Sequence, residues 1–183
     1  MKKVALIAIL ISSIYANEDS ILNDGIKYIK IFAKELKSNL KEHLKADKTA
    51  LEAAKFCANN ATKIAKEVSK KFPKGVIVYR TSQKYRNIQD KPDKIDTEVL
   101  KDLENKYKQK IAINKPFVKK VNDNEYRVYK PLFIEPVCLK CHGDINKIDP
   151  KIKSILAKKY PNDLAINYKV GDLRGVIVAK IKK

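Results

Sequence analysis

Three of the five cysteine and histidine residues in this chain stand within five positions, in the stretch CLKCH that ends at His142. Two thiols three positions apart, followed directly by an imidazole, form the attachment sequence of a c-type haem. The thiols add to the two vinyl groups of one porphyrin, and the imidazole then lies beneath the iron as its proximal ligand. The stretch therefore predicts thioether bonds from Cys138 and Cys141, an iron bond from His142, and one covalent haem c.

Two other interpretations of the same residues compete with haem attachment. A disulfide or dithiol of Cys138 and Cys141 would make the chain a haem-free thiol-disulfide oxidoreductase. That motif normally opens a helix after a strand, whereas Pro136 and Gly143 favour a loop here. A structural zinc site needs four ligands, and with Cys57 and one histidine it would use nearly every ligand in the chain. Haem attachment remains the favoured interpretation.

The N-terminus has the composition of a secretory signal peptide. Lys2 and Lys3 precede an almost wholly apolar run, and Ala16 precedes a polar segment. The run is shorter than the roughly 20 residues that span a bilayer. We expect cleavage of residues 1–16 and a periplasmic protein made of one domain, residues 17–183, with no stable membrane span.

The formal net charge of the chain is +19, from 40 basic and 21 acidic residues. In a cytoplasmic protein this excess would suggest nucleic-acid binding, but export argues against that class. Most of the charge is lysine scattered along amphipathic helices, which is typical of a solvated surface or of steering toward an acidic partner or an anionic membrane face. We expect no nucleic acid and an acidic redox or signalling protein as partner. The sequence is also compatible with a homodimer.

The second axial ligand of the iron is left open by the sequence. Methionine is common in cytochromes c, but the only methionine is Met1, within the predicted signal peptide. The candidates are therefore His43, Cys57, a lysine or an open position. Cys57 is an odd thiol in an oxidising compartment once two thioethers have formed, and iron would protect it from oxidation.

Both candidate ligands lie on predicted helices. Helical spacing of apolar residues extends over residues 20–46, and His43 stands near the edge of that apolar stripe. A second helix is predicted to begin near residue 49 with a capping box of Thr49 and Glu52 and to end near residue 72. Cys57 stands on its apolar face among alanines, whose small side chains let a helix approach a flat macrocycle.

At this point the chain resembles the Tll-like haem-binding domain family. The resemblance covers most of the mature chain, and its most specific segments are CLKCHGD, RTSQKYRN from Arg80 to Asn87, and YPNDLAINYKVGDLRGVIV from Tyr160 to Val178. It implies a PAS-like fold with one c-type haem, whose iron is held by His142 and by Cys57 from the preceding helix. Two positions depart from the family pattern: Ile88 replaces a common proline and Asn167 a common glycine. Asparagine tolerates the left-handed conformation, so we expect the turn at Asn167 to be kept.

Strand-like patterns follow the two helices, which predicts an α+β fold with a mainly antiparallel sheet. The predicted strands are 75–81, 117–121, 125–133 and 173–181, with helices at 97–113 and 150–159 and a hairpin turn at 122–124. The arginines of the chain, apart from Arg127 on the strand 125–133, are Arg80, Arg86 and Arg174. We predict that these three contact the haem propionates, because a guanidinium binds carboxylates in a bidentate manner.

The function predicted from these features is that of a periplasmic single-haem cytochrome of the c type, acting in one-electron transfer or in redox or gas sensing. A thiolate ligand stabilises oxidised iron, so ligation by Cys57 predicts a low reduction potential. We predict no enzymatic activity, because His43 is the only histidine left for acid-base chemistry. A haem enzyme such as a peroxidase is the alternative if the sixth position of the iron is empty.

Overall fold

The computed structural model describes the backbone of residues 2–183 and the side chains of residues 18–183. Its helices are α1 (Lys2–Ala46), α2 (Leu51–Lys70), α3 (Lys94–Lys108), α4 (Leu139–His142) and α5 (Pro150–Lys159). Its strands are β1 (Val76–Thr81), β2 (Phe117–Asn122), β3 (Glu125–Phe133) and β4 (Leu173–Lys182). The predicted signal peptide, residues 1–16, lies outside the fully described residues. Within the described residues, no helix combines the length and the apolar character that a membrane span requires.

The four strands form one antiparallel sheet in the order β1-β4-β3-β2. The predicted α+β class is confirmed, and so are the positions of the four strands to within about one residue. Helix α5 has the bounds that were predicted. Helix α3 begins and ends earlier than predicted, since Asp93 caps its first turn and Lys110 adopts a left-handed φ of 59° just beyond its end.

The two faces of the sheet are covered by different helices. Residues that alternate along the strands, such as Val78, Val128 and Ile177, pack against Ile29 and Phe32 of α1 and the C-terminal part of α2. Their neighbours on the opposite face pack against α3, in a cluster that includes Leu100, Tyr129, Val176 and Val178. The period of two along each strand therefore separates an α1/α2 face from an α3 face.

The start of α2 differs from the predicted capping box. Asp47 accepts hydrogen bonds from the backbone N–H groups of Leu51 (2.9 Å) and Glu52 (3.2 Å), whereas Thr49 accepts only a longer bond from Leu51, at 3.3 Å. Ala50 stands between them with a left-handed φ of 69°. The Thr49 hydroxyl also donates to Asp47, and these hydrogen bonds lower the pKa of Asp47 to about 2. An ionised carboxylate near a helix N-terminus is also favoured by the helix dipole.

Gly25 sets the distance between α1 and the sheet. A Cβ at this position would lie 2.4 Å from a methyl group of Val128, 2.5 Å from its Cβ and 2.9 Å from its second methyl group. Because the Cβ of a β-branched side chain cannot rotate away, a larger residue at position 25 forces the backbone of α1 or β3 to move. The glycine therefore permits the close packing of the α1/α2 face.

We expect Gly25→Ala to lower the free energy of unfolding by about 1–3 kcal/mol through overpacking, despite the better helix propensity of alanine. Chemical denaturation of the purified protein measures the change. Asn23→Ala, at an exposed position of the same helix, is the matched control and should stay within about 0.5 kcal/mol of the wild type. A Gly25→Ala protein as stable as this control would contradict the close approach.

Candidate haem site

The attachment stretch forms two consecutive helical turns rather than the predicted loop. A 3-10 turn at Pro136–Cys138 leads directly into the single turn of α4. Pro136 opens the first turn, a position where the missing N–H costs nothing. We call Pro136–His142 the motif turn. Cys138 and Cys141 are three residues apart, so the helical geometry places them at neighbouring positions on one surface. Two bonds to one macrocycle require such a placement.

The two motif thiols contact different parts of the core. Cys138 packs beside the buried residues Ile134, Ala165 and Tyr168. Cys141 packs against a cluster formed by α5 and the alanine-rich start of α2. The motif turn is thereby held between the segment that precedes β4 and the two helices.

His142 is oriented by a hydrogen bond to the backbone. Its Nδ1 lies 2.7 Å from the carbonyl oxygen of Ala165, and since a carbonyl only accepts, Nδ1 must carry the proton. Burial, together with the charges of Arg86 and Arg174, holds the pKa of His142 well below its usual range. The imidazole is therefore neutral at neutral pH, with the lone pair on Nε2. This is the tautomer of a histidine that ligates a metal through Nε2.

The segment after Ala165 pairs with the end of the motif turn. The backbone N–H of Asn167 donates to the carbonyl of Gly143 (2.8 Å) and that of Tyr168 to the carbonyl of His142 (3.0 Å). Asn167 has φ 59°, which confirms the predicted left-handed turn. Its side-chain oxygen also accepts from the N–H of Ile145 at 3.0 Å, a contact that glycine could not make.

Cys57 stands on α2 in the middle of the alanine-rich face, partly buried, with Ala54 and Ala58 buried on either side. Burial raises the pKa of its thiol, and the positive charges of Arg80 and Arg86 oppose that rise. The pKa of Cys141 is raised to about 11 by burial, against the charge of Arg86, and the neighbouring Cys57 adds to the rise. The thiols of Cys57 and Cys141 therefore share one environment with the arginines.

His43 lies near the end of α1. Its ring stacks on Phe56, with the ring centroids 4.4 Å apart. Phe56 and Cys57 are consecutive residues, and consecutive helical residues point about 100° apart. His43 therefore packs between α1 and α2 on a different side of α2 from Cys57.

Arg80 reaches the site because of strand alternation. Val78 faces α1 and α2 while Tyr79 faces α3, so Arg80 lies on the same face as Val78. Its charge acts on Cys57 and His142. Among the described residues it has neither a hydrogen bond nor an ion pair.

Arg174 reaches the site because of a bulge in β4. Leu132 pairs with Gly175 and the next residue of β3 pairs with Leu173, which leaves Arg174 as the extra residue. Gly175 has φ 148°, and a Cβ there would lie 2.4 Å from the carbonyl oxygen of Thr81. Arg174 donates to the carbonyl of Lys84 at 3.1 Å. Its guanidinium lies 5.5 Å from the ring centre of Tyr168, which itself contacts His142 edge-on.

Arg86 joins three segments by hydrogen bonds. Its Nε donates to the carboxylate of Asp163 at 2.8 Å, and its Nη2 donates to the carbonyls of Cys141 at 2.6 Å and Ala165 at 3.3 Å. Within the described part of the chain, only Nη1 of this side chain has no bonded protein partner. We call Arg80, Arg86 and Arg174 the arginine cluster.

Arg127, the remaining arginine, lies on the α3 face. It is 3% exposed and pairs at 2.7 Å with Asp96, which is 1% exposed. Tyr79 and Tyr129 donate to the same carboxylate at 2.8 Å each. Arg127 is therefore part of a closed polar network of the core.

A cleft of about 480 Å³ is lined by Arg86, one member of the arginine cluster, and its volume lies within the roughly 300–1,000 Å³ of small-molecule sites. It is lined by α2 after Cys57, by the segment 85–89 and by the segment 159–162. Asn87 closes one side, because its amide donates to Thr62 of α2 and its oxygen caps the 3-10 turn Ile88–Asp90. Ile88, at the position of the family's proline, is exposed and leaves this turn intact.

The residues fit a haem better than a metal ion alone or a reactive dithiol. No group of three or more potential ligands suited to a metal ion occurs among the described residues. Reactive cysteines have lowered pKa values, whereas those of Cys57 and Cys141 are raised. A neutral imidazole with a free Nε2, two thiols one turn apart and two arginines without an ion pair among the described residues match the iron, vinyl and propionate groups of haem.

Several residues of the site carried no sequence signal. Asp163 and Ala165 hold Arg86 and His142, and the Tyr160 hydroxyl donates to the carbonyl of Cys57 at 3.3 Å. These contacts join residues 23 to 103 positions apart, and two of them use backbone carbonyls, which every residue has. The resemblance segment from Tyr160 to Val178 includes all three residues but does not assign them roles.

Asn167 provides a test of how the motif turn is held. We expect Asn167→Gly to cost about 1 kcal/mol for the lost bond to Ile145, and Asn167→Val to cost about 1–2 kcal/mol more, because a β-branched residue resists positive φ. Chemical denaturation of both variants measures the difference. Equal stabilities of the two variants would show that the left-handed turn is not required.

Comparison with known proteins places the chain in a family. A search of curated proteins gave no match. Among solved structures, the crystal structure of the cyanobacterial heme-protein Tll0287 is similar, at 28% identity and a TM-score of 0.55 over 69% of this chain and 71% of that chain. The model of the Tll0287-like family matches residues 11–182. This match confirms the resemblance seen in the sequence, and the chain belongs to the Tll0287-like family.

Proposed function

We propose that this protein is an exported cytochrome with one covalently attached haem c, and that it acts in one-electron transfer or as a redox or gas sensor. The observation that carries the proposal is the arrangement of His142, neutral and with a free Nε2, directly after two thiols on one helical surface. The heme-protein Tll0287 supports it as a similar structure. When bound, haem would supply reversible one-electron redox chemistry.

The protein's own residues have distinct tasks in this proposal. Cys138 and Cys141 would hold the macrocycle by thioether bonds, and His142 would bind the iron. Cys57 rather than His43 would supply the second iron ligand, because Cys57 shares its surroundings with Cys141 and Arg86 whereas His43 is stacked on Phe56.

The charges of the site support an anionic cofactor. Among the described residues, neither Arg80 nor Arg174 forms an ion pair, and a single carboxylate, that of Asp90, interacts with both at longer range. One carboxylate near two partly buried cations leaves positive charge uncompensated, which is costly, so two propionates would stabilise both. Arg86 contributes charge, but its Nε and Nη2 are already bonded to protein groups. The PAS-like architecture implied by the resemblance and a periplasmic location belong to the same proposal.

Optical spectroscopy tests the cofactor and its axial ligands. We expect the protein, made in cells with a c-type haem maturation system, to be red and to keep its haem after denaturation. The oxidised protein should show a low-spin spectrum with a sulfur-to-iron charge-transfer band. Cys57→Ala should lose that band, whereas the matched control His43→Ala should keep it.

Each contrary result has a defined meaning. A colourless protein with a titratable dithiol would favour a thiol-disulfide oxidoreductase and overturn the proposal. Haem that is released on denaturation from the wild type would exclude covalent attachment. A charge-transfer band that survives Cys57→Ala and disappears in His43→Ala would reassign the axial ligand.

The surface around the motif turn suits an acidic redox partner. Val137 on the motif turn, and Leu164 and Val170 on the segment before β4, are exposed apolar residues. Exposed lysines stand on the same two segments, at positions 140 and 169, and Lys84 donates to the carbonyl of Ile166 on the second. An apolar contact with a positively charged surround favours steering of a negatively charged protein.

We expect the rate of electron transfer from a plant-type ferredoxin of net negative charge to fall as ionic strength rises, because salt screens steering. Lys140→Glu and Lys169→Glu should slow the reaction at low salt. Lys101→Glu, on α3 at the other face of the sheet, is the matched control and should change it less. Stopped-flow absorbance measures the rates, and rates independent of salt would count against electrostatic docking.

A further inference from the structure

One backbone carbonyl near His142 accepts two hydrogen bonds. The oxygen of Ala165 lies 2.7 Å from Nδ1 of His142 and 3.3 Å from Nη2 of Arg86. A carbonyl has two lone pairs and can accept from both donors. The imidazole and the guanidinium are thus joined through a single oxygen, which we call the Ala165 bridge.

The guanidinium at this bridge is fixed and little exposed to water. Nε of Arg86 pairs with the Asp163 carboxylate at 2.8 Å, and the two side chains are 11% and 13% exposed. The second oxygen of that carboxylate accepts from the N–H of Ala165 at 2.8 Å. Asp163 therefore holds both the arginine and the residue whose carbonyl His142 uses.

The two donors at the bridge affect each other. Neighbouring hydrogen bonds polarise one another in a protein interior. A cation that donates to a carbonyl withdraws electron density from its oxygen. The carbonyl then accepts less strongly from Nδ1–H of His142, so the imidazole is a weaker electron donor at Nε2. Hydrogen bonding at this second nitrogen is one of the protein's means of tuning a bound metal.

We propose that Arg86 and Asp163 are positioning residues that set the reduction potential of the site through the Ala165 bridge. The inference rests on the proposed function, because a potential exists only when haem is bound. Arg86 raises the potential in two ways: its positive charge favours the reduced state, and its bond to the carbonyl weakens electron donation by His142. Asp163 lowers the potential by neutralising Arg86.

Two single variants should therefore shift the potential in opposite directions. Arg86→Gln leaves the Asp163 charge and frees the carbonyl, so the potential should fall. Asp163→Asn leaves Arg86 uncompensated, so the potential should rise. We expect each shift to correspond to at least a threefold change in the reduction equilibrium. The double variant should return close to the wild-type potential. Spectroelectrochemical titration of the full-length holoprotein measures all four proteins.

Opposite signs distinguish tuning from structural damage. A variant that merely loosens the site and admits water should shift the potential in one direction whichever partner is removed. Lys159→Gln, which removes a cation at the rim of the same cleft without touching the bridge, is the matched control and should shift the potential less than Arg86→Gln does. A second readout is the Nδ1–H proton resonance of His142, which should move downfield in Arg86→Gln as its hydrogen bond strengthens.

The outcomes separate the inference from the proposed function. A red wild type with shifts of the same sign in both variants, or with no shift, would overturn the inference alone. A colourless wild type would overturn both. If Arg86→Gln fails to fold or to bind haem, the near-isosteric Asp163→Asn decides: a raised potential supports the inference, and an unchanged or lowered one overturns it.

Discussion

The site depends on the attachment of the motif turn to the segment that precedes β4. Among the described residues, three hydrogen bonds join them: the side-chain bond of His142 to Ala165, and the backbone bonds from Asn167 and Tyr168 to the end of the turn. A single helical turn has no stability of its own, because nucleation fixes several residues for few hydrogen bonds. Tertiary contacts must therefore hold it, and they also choose the tautomer of His142. The same hydrogen bonds therefore set the conformation of the motif turn and the tautomer of its histidine.

The same segment connects the motif turn to the sheet. Tyr168 packs beside Arg174, which reaches this side because β4 bulges at Gly175, and Ala165 is joined to Arg86. The bulge changes which face a side chain occupies, as an extra residue in a strand always does. A regular β4 would place residue 174 with Val176 and Val178, against α3. The irregularity is therefore what makes Arg174 available to the site, and glycine is needed there because Thr81 leaves no space for a Cβ.

Much of this arrangement could be predicted from the sequence, for physical reasons that differ from residue to residue. The four strands and α5 follow from local periodicity and from Pro150 at a helix start, and the left-handed turn at Asn167 follows from the tolerance of asparagine for positive φ. The cap of α2 was missed because Asp47 reaches its first turn from four residues upstream through an unusual left-handed Ala50, a geometry that no capping-box pattern encodes. The role of Arg86 was assigned only in part. Its charge and place near the site could be predicted, but bonds to two backbone carbonyls depend on the tertiary fold alone.

The arginines on the two faces of the sheet differ in what neutralises them. Arg127 on β3 is paired with Asp96, and two tyrosines complete the hydrogen bonds of that carboxylate, so the α3 face contains a closed network. Arg80 and Arg174 occupy the opposite side without an ion pair in the described part of the chain, and the single carboxylate of Asp90 acts on both. The difference between the two faces lies in whether the protein supplies an anion for each cation. Because an uncompensated buried cation destabilises a fold, an anionic ligand of this face would stabilise the folded state by binding to it alone. Binding of an anionic cofactor at the arginine cluster is therefore coupled to folding by thermodynamic linkage. The network around Arg127 is already closed by its own carboxylate, so it provides no such coupling.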